Sequence, residues 1–347
     1  MLSINPYISD ILSQPAALRK ALENYPSDQI DQVRSKLQQG KFSKIVLTGM
    51  GSSYNAAYPT WIKMLAGPTP IININTAELL HYGREIIDTN TLLWINSQSG
   101  KSVEIVRLLE KIKDRRPAFQ LSMSNYLDSP MAQSADLAVP IHAGNEATVS
   151  TKTFINMLAT LLLSSTQLTG GDWQRTLQSM QQAADNMENY LENWQDKVKE
   201  LDEKLGQVDQ LFILGRGPSM AAVWNGSLIS KEAAKCAFEG SNVADFRHGP
   251  LELASPRLTL LILEGAPQTT SINRDLAKEV AGYGGKIIWL STRPDVDLPG
   301  VLLPNVDELA RPLVEILPLQ MLTLVMSQRN GIEPGKFRNI TKVTVEE

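Results

Sequence analysis

Short, strongly apolar runs of strand length recur along this chain, each ending in a turn of glycines and hydroxyls. Lys44-Ile45-Val46-Leu47-Thr48 and Gln210-Leu211-Phe212-Ile213-Leu214 are two of them. Each runs into a Gly-x-Gly-x-Ser turn, Gly49-Met50-Gly51-Ser52-Ser53 and Gly215-Arg216-Gly217-Pro218-Ser219, and then into a helical segment. The glycines and the serine recur at one offset (49 to 215, 51 to 217, 53 to 219), so the chain holds an internal repeat. Runs this apolar predict parallel strands buried on both faces. Further strands are predicted over 91–95, 118–123 and 137–141 in the first half, and over 258–263 and 286–290 in the second. Helices are predicted over 102–113, where Val103, Val106 and Leu109 form an apolar stripe with Glu104 and Arg107 off it, and over 271–283. This alternation predicts an α/β protein: two tandem three-layer α/β/α sandwiches with mainly parallel sheets.

The domain boundaries follow from the same pattern. An opening segment (1–30) precedes a first domain (31–172). A long polar stretch without proline (173–205) reads as a connecting helix, then come a second domain (206–330) and a C-terminal tail (331–347). A length of 347 residues suits two domains.

Composition narrows the function. A net charge of −4 argues against a nucleic-acid partner, which needs a basic face. The single cysteine, Cys236, cannot form an intramolecular disulfide, and a reducing cytoplasm is the expected compartment. No basic-plus-apolar signal opens the chain, and the apolar run 157–163 is too short to span a bilayer, so no membrane partner is expected. Three scattered histidines (His81, His142, His248) and one cysteine form no ligand cluster, so no metal and no cofactor is expected.

Parallel sheets hold ligands at the carboxyl ends of their strands. There the first half places Ser52-Ser53-Tyr54-Asn55 and Ser97-Gln98-Ser99-Gly100-Lys101-Ser102. Free backbone N–H groups at a helix start favour an anion, and serine hydroxyls with the Gln98 amide add donors. The set suggests a cup for a phosphate monoester, with helix capping as the alternative job for Ser53 and Ser99. A dinucleotide site is disfavoured, because Tyr54 and Met220 stand where a third glycine is needed. Glu232, in a helical run, and His248, on a Gly-Pro turn, are a carboxylate and an imidazole able to move protons at neutral pH.

Taken in order, Gly51-Ser52-Ser53-Tyr54-Asn55, Ser97-Gln98-Ser99-Gly100, Ser150-Thr151-Lys152-Thr153-Phe154, Leu214-Gly215-Arg216-Gly217, Arg247-His248-Gly249-Pro250 and Arg338-Asn339-Ile340-Thr341-Lys342 resemble the sugar isomerase (SIS) family. The likeness is closest to the isomerase half of the glucosamine-6-phosphate synthases. The resemblance implies that Ser52, Ser53, Ser97, Gln98, Ser99 and Ser102 hold the sugar phosphate. It implies that Glu232 shuttles a proton between C1 and C2 of the open-chain sugar. It further implies that His248, supplied by the neighbouring subunit of a homodimer, helps open the ring, and that Lys342 approaches the carbonyl carbon.

The departures matter as much. Residue 2 is Leu2 rather than the cysteine nucleophile of a glutaminase domain, so this chain is not expected to release ammonia from glutamine. Ile229 stands where the family carries a lysine, three positions before the glutamate. Lys101 replaces an acidic residue, and the acidic residue before Ser-Thr-Lys is shifted by one, at Glu146. The resulting expectation is a phosphosugar isomerase acting on amino-sugar phosphates, interconverting glucosamine 6-phosphate and fructose 6-phosphate with ammonia release or uptake. A deglycase of phosphorylated fructosamines and a non-catalytic phosphosugar sensor are the alternatives.

Overall fold

The computed structural model describes residues 3–342 and 344. Five strands, β1 (Lys44–Gly49), β2 (Ile71–Asn75), β3 (Thr91–Asn96), β4 (Phe119–Ser124) and β5 (Leu137–Pro140), form a parallel sheet in the order β2-β1-β3-β4-β5. Five more, β6 (Gln210–Gly215), β7 (Glu239–Asn242), β8 (Leu258–Leu263), β9 (Lys286–Ser291) and β10 (Gly300–Leu302), form a second parallel sheet in the order β10-β9-β8-β6-β7. Counted within each repeat, the two orders are the same. The chain leaves the first strand to one side and returns to build on the other, so each sheet has a switch point, between β1 and β3 and between β6 and β8. Crevices for ligands open at such points, outside the carboxyl ends of the strands.

The cores account for the sheets. Every residue of β3, β4 and β8 is buried, as strands covered on both faces require. Val46, Leu93, Ile95, Ile105 and Leu108 pack into one core beside the first sheet. Leu214, Phe246, Leu260, Ile262 and Leu276 belong to its counterpart beside the second. The helix Lys152–Leu168 is buried along its whole length. The stretch Glu308–Arg329 is long and apolar enough to cross a membrane, but 89% of its most apolar window is buried inside the protein, as in a core helix.

The chain divides into two compact units that are not consecutive in sequence. One comprises Ala16–Gln181 with Arg338–Glu347 and holds the first sheet; the other comprises Met1–Pro15 with Gln182–Phe337 and holds the second. The expected opening segment 1–30 is therefore split, with helix Pro6–Leu12 in the second-sheet unit, where Tyr7 Oη and Thr323 Oγ1 are 3.0 Å apart. The tail 331–347 is split too, at Phe337. The expected connecting helix is two helices, Trp173–Glu192 and Trp194–Leu205, broken at Asn193. The helix expected over 271–283 starts earlier, at Pro267, because proline suits the first helical position.

One glycine shows how tightly the first switch point is built. Gly100 has φ +61°, and a Cβ there would lie 2.2 Å from Ser129 Oγ, which donates to the Tyr126 carbonyl and accepts from Ala132 N–H. Left-handed strain and overpacking each cost about 1–3 kcal/mol. Gly100→Ala is expected to lose about 3 kcal/mol of stability, read as a drop in the urea midpoint at unchanged slope.

Candidate functional site

The first switch point is lined from two strand ends. After β1 the backbone turns at Gly51 (φ +51°) into the helix Gly51–Met64, whose first turn carries Ser52, Ser53 and Tyr54. After β3 comes the run Ser97–Ser102 and then the helix Val103–Lys111. Gly49 and Asn96 are paired across the two strands, and a Cβ on Gly49 would sit 2.9 Å from the Asn96 carbonyl oxygen. The structure thus brings Ser52, Ser53, Ser97, Gln98, Ser99 and Ser102 to the carboxyl end of two adjacent strands of one sheet.

Two of the hydroxyls, on Ser97 and Ser99, are arranged as donors. Ser97 Oγ accepts from Gly100 N–H at 3.0 Å and Ser99 Oγ accepts from Lys101 N–H at 3.1 Å, so both keep their protons for another acceptor. The Gln98 carbonyl accepts from Asn125 N–H and Ser124 Oγ–H, which pins the turn and leaves the amide side chain to be used elsewhere. Ser53 and Ser99 do not cap helices. The residue preceding the first helix is Met50, and Ser102, at the N-cap of the second, makes no side-chain cap bond. The half-buried Tyr54 phenol is pushed above its ordinary pKa by desolvation, which keeps it a hydroxyl donor.

Sequence reasoning noted Glu146 only as a shifted acidic residue, yet it is the hub of this unit's tail. Its wholly buried carboxylate lies before the helix Lys152–Leu168. Oε1 accepts from Thr151 N–H at 2.7 Å, Thr153 N–H at 3.0 Å and Thr151 Oγ1 at 3.0 Å; Oε2 accepts from Thr153 Oγ1 at 2.6 Å and from Lys342 Nζ at 2.5 Å. Lys342 also donates to the Thr148 carbonyl. Two residues on, the Thr344 carbonyl accepts from Val103 N–H at 3.3 Å, one of the orphan donors at the start of that helix. Lys342 therefore belongs to the same unit as the serine turns, held as an ammonium against a carboxylate.

Glu232 and His248 lie in the second-sheet unit. Glu232 is half-buried in the last turn of the helix Met220–Ala234, where Lys235, in left-handed conformation at φ +58°, donates from Nζ to the Glu232 carbonyl oxygen. Neighbouring Lys231 is held below the usual lysine pKa by desolvation, and donates to Ser227 Oγ at 2.6 Å and the Phe238 carbonyl at 2.9 Å. Ile229, at the position of the family lysine, is fully buried. His248 ends the short helix Val243–Arg247 and is exposed, with Gly249 at φ +152° behind it. The repeat extends here. Asn75 caps through a bond from Ala77 N–H and Asn242 through one from Ala244 N–H, and each is followed six residues later by a histidine, His81 and His248. Among the described residues no cluster of His, Cys, Asp and Glu could hold a metal.

Comparison with known proteins accords with this fold. The SIS domain model matches residues 37–166. Glutamine–fructose-6-phosphate aminotransferase (isomerizing) of Thermococcus kodakarensis is 28% identical, over 98% of this chain and 58% of that protein. Its counterpart in Pyrococcus horikoshii is 29% identical, over 98% and 57%. The chain thus spans under three-fifths of the length of these curated relatives. Among solved structures, the C-terminal domain of glucosamine-fructose-6-phosphate aminotransferase from Francisella tularensis has a TM-score of 0.83 at 20% identity, covering 96% of this chain and 98% of that one. Glucosamine-6-phosphate deaminase from Thermotoga maritima has a TM-score of 0.77 at 19% identity, covering 98% and 99%. At those identities the structures share the fold.

Proposed function

We propose, starting from the SIS domain that the chain carries at residues 37–166, that it is a phosphosugar isomerase acting on amino-sugar phosphates. It would interconvert glucosamine 6-phosphate and fructose 6-phosphate with release or uptake of ammonia. The observation that carries this reading is the pair of hydroxyl-rich turns at one switch point, in which Ser97 and Ser99 accept backbone N–H bonds and keep their protons to donate. Such a set fits the oxygens of a phosphate monoester, and the start of the helix Gly51–Met64 adds a favourable dipole.

The chemistry then needs one proton moved between adjacent carbons. His248 of a second copy protonates the ring oxygen as the C1–O5 bond breaks and takes the O1 proton, giving the open-chain aldehyde. The Glu232 carboxylate removes the C2 proton as His248 returns a proton to O1, forming an enolamine; Glu232 then gives its proton to C1 while the amine nitrogen gives one back to His248. The resulting ketimine at C2 adds water and loses ammonia, leaving fructose 6-phosphate; the net change is amino sugar plus water to ketose plus ammonia. Lys342 would have to leave its ion pair with Glu146, whose Oε2 lies 2.5 Å from Nζ, and lose a proton before it could attack a keto carbon.

Incubation with glucosamine 6-phosphate, following ammonia and fructose 6-phosphate, tests the reading. A parallel incubation with a fructose-amino-acid 6-phosphate tests for deglycase chemistry, which would instead give free amino acid and glucose 6-phosphate. Tight binding of either without turnover would establish a sensor and overturn the enzyme. Ser99→Ala removes a donor to a dianion, worth about 1.5–3 kcal/mol, so KM should rise roughly tenfold or more while kcat stays within about threefold. A loss confined to kcat would contradict the cup.

A further inference from the structure

The second sheet repeats the topology of the first, so it has a crevice of its own between β6 and β8. There Gly217 (φ +58°) and Ser219 stand where Gly51 and Ser53 stand in the first. The lining differs in three ways. Ser219 Oγ does not keep a free proton: it donates to Glu315 Oε1 at 2.8 Å, and Glu315 is 1% exposed. The turn after β8 is Glu264-Gly265-Ala266-Pro267, in which a carboxylate replaces hydroxyls and a proline removes an N–H at the helix start. Arg311 is 3.7 Å from Glu264 and donates to the Gly265 carbonyl. A Cβ on Gly265 would lie 3.7 Å from Ser219 Oγ, so these groups share one small space.

We infer that the second crevice is a phosphate seat of the same design, closed from within by the Glu315 carboxylate, so that each chain takes up one phosphosugar and not two. The inference rests on the phosphate-cup reading of the first switch point. Glu315 and Glu146 both precede the most buried helix of their unit. Glu146 is turned back onto its own helix start and onto Lys342, which leaves the first crevice to an outside anion. Glu315 is turned to the strand-end serine and fills the equivalent place. Desolvation lifts its pKa to about 7, and its Oε2 is buried without a hydrogen-bond partner among the described residues. A charged carboxylate there repels a phosphate, and a protonated one still fills the space.

Calorimetric titration of the full chain with glucosamine 6-phosphate decides this. Wild type should bind one equivalent per chain, and Ser219→Ala should bind one equivalent with affinity within twofold, because the hydroxyl is already engaged. Glu315→Ala, or Glu315→Ser if the alanine variant does not fold, should gain a second, weaker equivalent. Two equivalents in wild type, a tenfold loss in Ser219→Ala, or a single equivalent in both folded Glu315 variants would overturn the inference. If no variant binds the sugar phosphate, the reading of the first switch point fails instead. Phosphorus NMR of inorganic phosphate, broadened by Glu315→Ala and not by wild type, then tests the second seat alone, and equal spectra would reject it.

Discussion

Glu232→Gln should lower kcat with glucosamine 6-phosphate by roughly 10²- to 10⁴-fold, the usual worth of a general base. Affinity for the sugar phosphate should stay within about threefold of wild type. Glutamine keeps the shape of the side chain in the last turn of the helix Met220–Ala234 and removes only the ability to accept a proton from carbon. If the serine turns supply the binding energy, an equal loss of binding and turnover would assign Glu232 to structure. His248 gives the complementary test, because it is exposed at the surface of its own chain. If it acts across a dimer, Glu232→Gln and His248→Ala are each inactive alone but rebuild one intact site in every mixed dimer. Random mixing in equal amounts should then restore about one quarter of wild-type activity. Verified mixed dimers without activity would reject the shared site.

The parts of the fold that could be read from the sequence are those whose burial is complete. β1, β3, β6 and β8 flank the switch points and are nearly or wholly buried, and their apolar runs carry the period and the end signals together. The strands that escaped notice are β2, β7 and β10. All three lie at sheet edges and are short, and two read as Ile-Ile-Asn-Ile-Asn and Glu-Gly-Ser-Asn. Edge strands are kept short and polar because a long apolar edge invites pairing with other chains, so the features that make them safe also hide them. The exchange of both chain ends between the units was hidden for another reason. It depends on tertiary contacts such as the Tyr7–Thr323 pair, separated by 316 residues, that leave no local pattern.

The candidate site divides the same way. The serine turns were legible because glycines and hydroxyls at strand ends have a local cause. Glu146 was not, since nothing around Gly144-Asn145-Glu146 marks that carboxylate as buried; its importance lies in Lys342, 196 residues away. Glu315 sits in the apolar run Arg311-Pro312-Leu313-Val314-Glu315-Ile316-Leu317. A single acidic residue in such a run is a signal that could have been weighed, because a carboxylate there must be buried and must find a partner.

Glu146→Ala should therefore be strongly destabilising in the first-sheet unit, losing about 3–4 kcal/mol in urea unfolding. It strips the partner from two backbone N–H groups, two threonine hydroxyls and an ammonium in one step. The lower part of the range for breaking a buried pair is expected because Lys342 is 25% exposed and can turn to water. Lys342→Met should cost much less, about 1 kcal/mol, because the carboxylate keeps its four bonds from Thr151 and Thr153. That asymmetry separates a helix-start anchor that also holds the tail from a simple ion pair, in which either deletion would cost the same. Both variants should release the tail, seen as faster tryptic cleavage at Arg338, but only Glu146→Ala should loosen the start of the helix Lys152–Leu168, seen as faster amide exchange at Thr151 and Thr153. Equal stability losses, or unchanged exchange there, would reduce Glu146 to the partner of Lys342 and nothing more.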